Sequence, residues 1–267
     1  MSQVMIRSLW KEYGRDVVLE NVNVQVDSGE FVTIVGASGC GKSTFLRILL
    51  GQERPSRGHV GIDGRPMPDE PGPDRGVVFQ KYSVFPHLDA LGNTLIAEEL
   101  EAAPLTGRLF GAARRAARER AMAMLESVGL AQAARKYPAQ LSGGMQQRLA
   151  LAQALMKRPK ILLLDEPFGA LDPGIRRDMH QLVRSLWREH ELTVFMVTHD
   201  LPEAFELGSR LLVFDKVRHD PQAPGAYGAR ITYDLALNRN SPAEPMRRAV
   251  ARTVGDNDRT TDPREET

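Results

Sequence analysis

Residues 30–51 read EFVTIVGASGCGKSTFLRILLG. EFVTIVG has the composition of a buried strand, and KSTFLRILL, closed by Gly51, that of a helix. Between them Gly36 to Thr44, GASGCGKST, fits G-x-x-x-x-G-K-[ST] in the strand-to-helix setting that this pattern requires. Glycines let the backbone curl until successive N–H groups face a β-phosphate, Lys42 reaches β- and γ-oxygens, and Ser43 offers a hydroxyl to Mg²⁺. An ordinary glycine turn with an exposed lysine needs neither the strand nor the helix. Gly36, Ala37, Ser38, Gly39, Cys40, Gly41, Lys42, Ser43 and Thr44 therefore read as a binding loop for a nucleoside triphosphate. Cys40, the only cysteine, lies close to Lys42 and a helix N-terminus, where positive potential favours a reactive thiolate; a buried, inert thiol is the other reading.

Working outward, short alternating runs at Val4 to Leu9 and Val17 to Val26 read as β-structure ahead of the loop. Residues 52–76 are turn-rich, and RGVVFQ after them is another strand. From about residue 88 to 157 the texture is helical: AARRAARERAMAMLESVGL has apolar residues at helical spacing and arginines on the other face, the pattern of an inserted helical lobe with a solvated basic side. KILLLDEP is then a buried strand ending in acids. PGIRRDMHQLVRSLWREH is a helix opened by Pro173, LTVFMVTHD a strand, and LPEAFELG a short helix. Strands alternating with helices predict an α/β fold with a mostly parallel sheet. We expect one nucleotide-binding domain over residues 1–237 and a loosely ordered tail over 238–267, which has few large apolar residues, balanced charges and three prolines.

Composition narrows the function classes. The 267 residues are 42% hydrophobic, enough for a sizeable core. Lys+Arg 35 against Asp+Glu 34 leaves +1, which gives no support to a nucleic-acid footprint. One cysteine excludes an intrachain disulfide framework and agrees with a reducing compartment. The start, MSQVMIRSLWKEYG, lacks the basic-then-apolar order of a signal peptide, and no apolar run reaches the roughly 18 residues that span a bilayer. A soluble, cytoplasmic chain is the expectation.

Three further stretches carry chemistry. ILLLDEP presents Asp165 and then Glu166 at a strand tip, where the second acid can polarise water for attack on a γ-phosphate. Read alone, the pair is a strand-end cap and a solvated charge. VTHD puts His199 at another strand end, where a lone histidine is more often structural than catalytic. LSGGMQQRLALAQAL, Leu141 to Leu155, places Ser142, Gly143 and Gly144 at the mouth of a helix, a second anion-binding arrangement a hundred residues beyond the first. Without its neighbours it is equally an N-cap with a flexible turn.

The order of these motifs decides between the readings. The phosphate loop, Gln80 in VVFQKYSVFPHL, LSGGMQQR, ILLLDEP, GALD and VTHD together make the chain, over about residues 3–215, resemble the ATP-binding subunit of ABC transporters. That resemblance implies a P-loop NTPase core with an N-terminal antiparallel β subdomain and an inserted helical subdomain. It also implies a head-to-tail, ATP-dependent dimer with a second copy of the chain, in which Ser142, Gly143 and Gly144 of one copy cap the ATP held by the other. Residue by residue it makes Tyr13 the aromatic that stacks on adenine. It makes Gln80 a contact to Mg²⁺ and the attacking water, Asp165 a Mg²⁺ residue with Ser43, and Glu166 the base. Asp172 communicates between sites and His199 contacts the γ-phosphate. Met145 stands where glutamine is commonest in the family.

LSGGM followed by QQR is similar to importer subunits of the nitrate, sulfonate and taurine group, and GARITYDLALNR resembles ATPase subunits of systems for urea or guanidine compounds. The implied partners are integral membrane permease subunits, with Phe85, Pro86 and Leu88 as candidate contacts, and indirectly an extracytoplasmic solute-binding protein. The implied place is the cytoplasmic face of the inner membrane. Phe85, Pro86 and Leu88 can equally plug the joint between core and lobe. A soluble ATPase of the same family acting on nucleic acid or ribosomes is the alternative class; it usually carries two such domains or a long heptad insertion, and this chain has neither.

Overall fold

The computed structural model describes residues 2–68, 70–79, 84–102, 109–218, 220–223, 225–237 and 250–251. The chain divides into two compact units, Met1–Gly72 with Leu192–Thr267, and Pro73–Glu191.

In the first unit, β1 (Val4–Tyr13), β2 (Asp16–Val26), β4 (Arg57–Ile62) and β5 (Arg65–Pro66) form an antiparallel sheet in the order β2-β1-β4-β5. Alternation of buried and exposed residues along β2 is the period-two signature of a sheet with one covered face. The second sheet of this unit runs β10-β9-β3-β8, from β3 (Phe31–Gly36), β8 (Thr193–Val197), β9 (Arg210–Asp215) and β10 (Arg230–Ala236). β3 lies parallel to β8 and β9, and β10 closes the edge antiparallel to β9. Every residue of β3 and β8 is buried, as expected of strands covered on both faces. Phe45 of α1 (Lys42–Leu50) packs its ring against Phe195 of β8 at 6.5 Å and Phe214 of β9 at 5.1 Å, which seats α1 on the sheet. α6 (Leu201–Leu207) follows β8.

The second unit holds β6 (Arg75–Val78) parallel to β7 (Ile161–Asp165), with α2 (Ala90–Ala102), α3 (Gly111–Ser127), α4 (Gly143–Leu155) and α5 (Pro173–Glu189). α3 buries Ala117, Ala121 and Leu125, one stripe at four-residue spacing, while Arg114, Arg115, Arg118 and Arg120 are exposed. Methyl-sized residues on that stripe let helices approach closely. α5 buries Met179, Val183 and Leu186 by the same logic.

Two departures from the sequence expectation have physical causes. The turn-rich stretch 52–76 contains β4, hidden by Gly58, His59 and Gly61, which are poor strand formers. Gly58 is there because a Cβ would lie 2.1 Å from the Ser8 carbonyl oxygen, at the point where the β1–β4 register shifts. Of the expected tail, 238–249 and 252–267 lie outside the described residues. Val250, however, is wholly buried with Val35, Ala204, Leu211 and Val213, so the chain is anchored there.

Candidate functional site

The loop between β3 and α1 is shaped by its ends. β3 stops at Gly36, α1 starts at Lys42, and Gly41 caps the helix with φ 90° and no side-chain bond. A Cβ on Gly41 would meet Val18 Cγ1 at 2.8 Å and Leu19 Cδ2 at 2.9 Å, so position 41 takes glycine on both backbone and packing grounds. No acid occupies the first turn of α1, so no carboxylate of that turn offsets the positive end of its dipole. Lys42 is only 8% exposed, yet its Nζ donates to the carbonyls of Gly36 at 2.7 Å and Ala37 at 2.8 Å. An ammonium held at the loop beside the positive end of a helix is an arrangement for a polyanion. Ser43 and Thr44 are half-buried in the first turn, while Ser38 and Gly39 face solvent.

Cys40 differs from expectation. It is 3% exposed, and burial pushes its thiol up although Lys42 pulls the other way. Desolvation of the charged form outweighs the nearby ammonium, so the side chain is a packed thiol rather than a thiolate.

Tyr13 ends β1 and is 45% exposed, its hydroxyl donating to Glu53. His199 is exposed immediately after β8, at the strand end that lies parallel to the end of β3. The Thr198 amide donates to the Ile34 carbonyl at 3.1 Å, its hydroxyl donates to the buried Glu203 carboxylate at 2.5 Å, and Asp200 accepts from the Glu203 amide at 3.0 Å to cap α6. The histidine is thus carried between two pinned residues. Sequence reading missed this bracket, although D-x-x-E ahead of an apolar helix is a capping pattern that signals it.

In the second unit β7 buries four apolar residues and presents Asp165 at its tip, half-buried like Glu166. Glu166 has φ 47°, a left-handed conformation costly for a residue with a side chain by about 1–2 kcal/mol. Such strain persists where the surroundings enforce it and gathers at working sites. Phe168, fully buried against the His180 ring at 5.1 Å, anchors the turn that follows. Gln80 lies outside the described residues; the strand leading to it ends at Val78, opposite Leu164 of β7.

The start of α4 is open to solvent. Ser142 caps it, its Oγ accepting from the Met145 amide at 3.4 Å, with Ser142 and Gly143 exposed and no acid in the first turn. Gly144 is buried, and a Cβ on it would lie 2.5 Å from Ile175 Cγ2 of α5. That close approach sets the N-terminus of α4 beside that of α5, whose N-cap is the exposed Asp172. Asn93, fully buried in α2, was also missed. Its side chain accepts from the Phe85 amide at 2.7 Å and donates to the carbonyls of Phe85, Leu88 and Asp89, each at 3.0 Å. Phe85 and Pro86 are exposed on the loop so fixed.

Residues 19–169 match the ABC transporter family model. The chain belongs to that family, as an ATP-hydrolysing subunit. It is 40% identical over 240 residues to the nitrate import ATP-binding protein NrtD of Synechococcus elongatus, covering 90% of this chain and 84% of that one. It is 43% identical to the aliphatic sulfonates import ATP-binding protein SsuB of Burkholderia ambifaria, over 83% of this chain and 64% of that one. The bicarbonate transport ATP-binding protein CmpD of Synechocystis is 44% identical over 77% and 70%. Among solved structures, the dimeric MJ0796, a bacterial ABC transporter cassette, superposes with TM-score 0.69 at 34% identity, over 88% of this chain and 99% of that one.

Proposed function

We propose that two copies of this chain clamp ATP between the phosphate loop of one and the α4 N-terminus of the other, and that this cycle powers import of a small solute through membrane permease subunits. The observation that carries the reading is a pair of helix starts in one chain with no acid in the first turn: the Lys42 loop ahead of α1, and the exposed start of α4. Lys42 and the α1 N–H groups hold the β- and γ-phosphates. Ser142 and Gly143 offer a hydroxyl and amides to a γ-phosphate arriving from a second copy, and Asp172 beside them faces that same partner. His199 contacts the γ-phosphate from its bracket, and Tyr13 stacks on adenine. Glu166 accepts the proton of the attacking water, which Gln80 helps to place.

The residues we assign to Mg²⁺, Ser43, Gln80 and Asp165, each carry an oxygen donor, the type that suits a hard cation taking its remaining ligands from phosphate and water. Mg²⁺ held there would neutralise charge on the transferring phosphoryl group.

Among the described residues no helix is long and apolar enough to cross a membrane, so the reading needs a membrane partner; the loop fixed by Asn93 offers Phe85, Pro86 and Leu88 to it. Nitrate, sulfonate and bicarbonate, named for the relatives, are small polar anions, and a small nitrogen- or sulfur-containing solute (nitrate, sulfonate, taurine, urea or guanidine type) is the cargo class we assign. An extracytoplasmic binding protein would select it, and the chain would sit peripherally on the cytoplasmic face. Pull-down from solubilised membranes tests this. Recovery of a multi-helix membrane protein is the expected result. Recovery of the chain with ribosomes or nucleic acid, and with no membrane partner, would overturn it.

A further inference from the structure

We infer that Glu53 is a positioning residue for the nucleotide base: it holds the Tyr13 ring, and the Lys11 ammonium on one face of that ring, so that the base stacks on the other face. The inference rests on the proposed stacking role of Tyr13 and adds the device that makes the stack directional.

Glu53 lies two residues beyond Gly51, which closes α1 in a left-handed turn. The amides of Gln52 and Glu53 both donate to the Arg47 carbonyl, at 3.0 and 3.3 Å, so the backbone at Glu53 is fixed to the last turn of the helix that begins at the phosphate loop. From there the carboxylate collects three partners. It accepts from the Tyr13 hydroxyl, pairs with Lys11 Nζ at 3.2 Å, and lies 3.5 Å from an Arg47 guanidinium nitrogen. Lys11 and Tyr13 lie two apart at the end of β1. Lys11 Nζ also donates to the Arg54 carbonyl at 3.0 Å and stands 4.7 Å from the centre of the Tyr13 ring.

A tyrosine ring has two faces for stacking. Here one is taken by a cation pinned by Glu53 and Arg54, while the residue as a whole is 45% exposed, which leaves the opposite face for a ligand. An isolated surface ion pair is worth little. Glu53 and Lys11 are instead largely shielded, their side chains 20% and 13% exposed, and they connect the end of β1 rigidly to α1. Protonation states agree with this geometry. Burial and then the Glu53 carboxylate raise the Tyr13 hydroxyl, keeping its proton; burial would raise Glu53, but Tyr13, Lys11 and Arg47 outweigh it and hold the carboxyl below its ordinary value. Tyrosine donates and glutamate accepts throughout the neutral range.

The test compares dissociation constants of MgATP and of inorganic triphosphate, which lacks a base, for the wild-type chain, Glu53→Ala, Tyr13→Ala and the double variant. Loss of a directed stack predicts that Glu53→Ala weakens ATP about threefold to tenfold and leaves triphosphate unchanged. In the Tyr13→Ala background the same change should have no further effect on ATP. Unchanged ATP affinity in Glu53→Ala, with Tyr13→Ala weakened, overturns the positioning role alone. Unchanged affinity in Tyr13→Ala overturns the stacking reading beneath it. Equal weakening of ATP and triphosphate by Glu53→Ala also overturns the inference, since Glu53 would then act through the loop or the fold. Glu53→Gln, which keeps an acceptor for Tyr13 without the charge that holds Lys11, should fall between wild type and Glu53→Ala for ATP only.

Discussion

A carboxylate at the end of a strand is useful only where its backbone aims it, and Glu166 is aimed by a left-handed turn that most residues avoid. Glu166→Gln keeps the shape and removes the proposed base, so it should retain ATP and lose about a hundredfold or more in turnover. Steady-state hydrolysis at near the wild-type rate would remove Glu166 from that role. Glu53 makes a claim about pH. Its folded carboxyl lies below its ordinary value of 4.5, so the stability it contributes is present above that value and is lost as pH falls through the folded one. Urea unfolding should therefore show the wild type ahead of Glu53→Gln at pH 7, with the gap closing under acid; a constant gap would contradict the charge-based origin. For Cys40, burial predicts that an alkylating reagent leaves the folded chain unmodified and labels it only on unfolding, the reverse of what proximity to Lys42 alone implies.

Elements impose a different constraint, because α4 and α5 can meet at their N-termini only if one of them lacks a side chain there. Gly144→Ala gains about 1 kcal/mol in helix propensity, yet its Cβ would press on Ile175 Cγ2, and overpacking of this kind costs about 1–3 kcal/mol. The balance predicts a net loss in denaturant unfolding, partly restored by Ile175→Ala in the same chain. A fully stable single variant would show that the helices part easily. Sequence reading located both helices by period and by Pro173, and placed Ser142 to Gly144 at a helix mouth, where the structure has them. It could not see that Gly144 also serves packing, because Ile175 is thirty-one residues away and no local pattern joins them. Asn93 escaped for the same reason: its four bonds go to a loop, and a lone asparagine inside an apolar helix announces nothing.

At the scale of the whole molecule, the long-range ties were the least legible. Glu20 is buried on β2, where it accepts from Arg218, from Arg230 at 3.1 Å and from the Gly228 amide at 3.2 Å, binding the chain after β9 back to the first sheet. Val250 is anchored by β3, β9 and α6 although its own segment is sparse in apolar residues, so hydrophobic period gave no hint of it. The phosphate loop was legible because it is a contiguous stretch with a fixed pattern between a strand and a helix, and the helix mouth at the start of α4 is likewise contiguous. What contiguity leaves open is whether the two motifs serve one ATP within a chain or one ATP between chains.

Mixed dimers answer that question. One chain carries Lys42→Ala and the other Ser142→Arg, both with Glu166→Gln so that bound ATP is not turned over, and heterodimers are isolated through two different tags. If the sites form between copies, both lesions fall in one pocket and the other keeps an intact Lys42 and an intact Ser142. Charge-assisted phosphate contacts are worth about 1.5–3 kcal/mol each, enough to empty the damaged pocket and spare the intact one. The account predicts about one retained ATP per mixed dimer and almost none for either parent; retention no higher than in the parents, with the heterodimer shown to form, would contradict it.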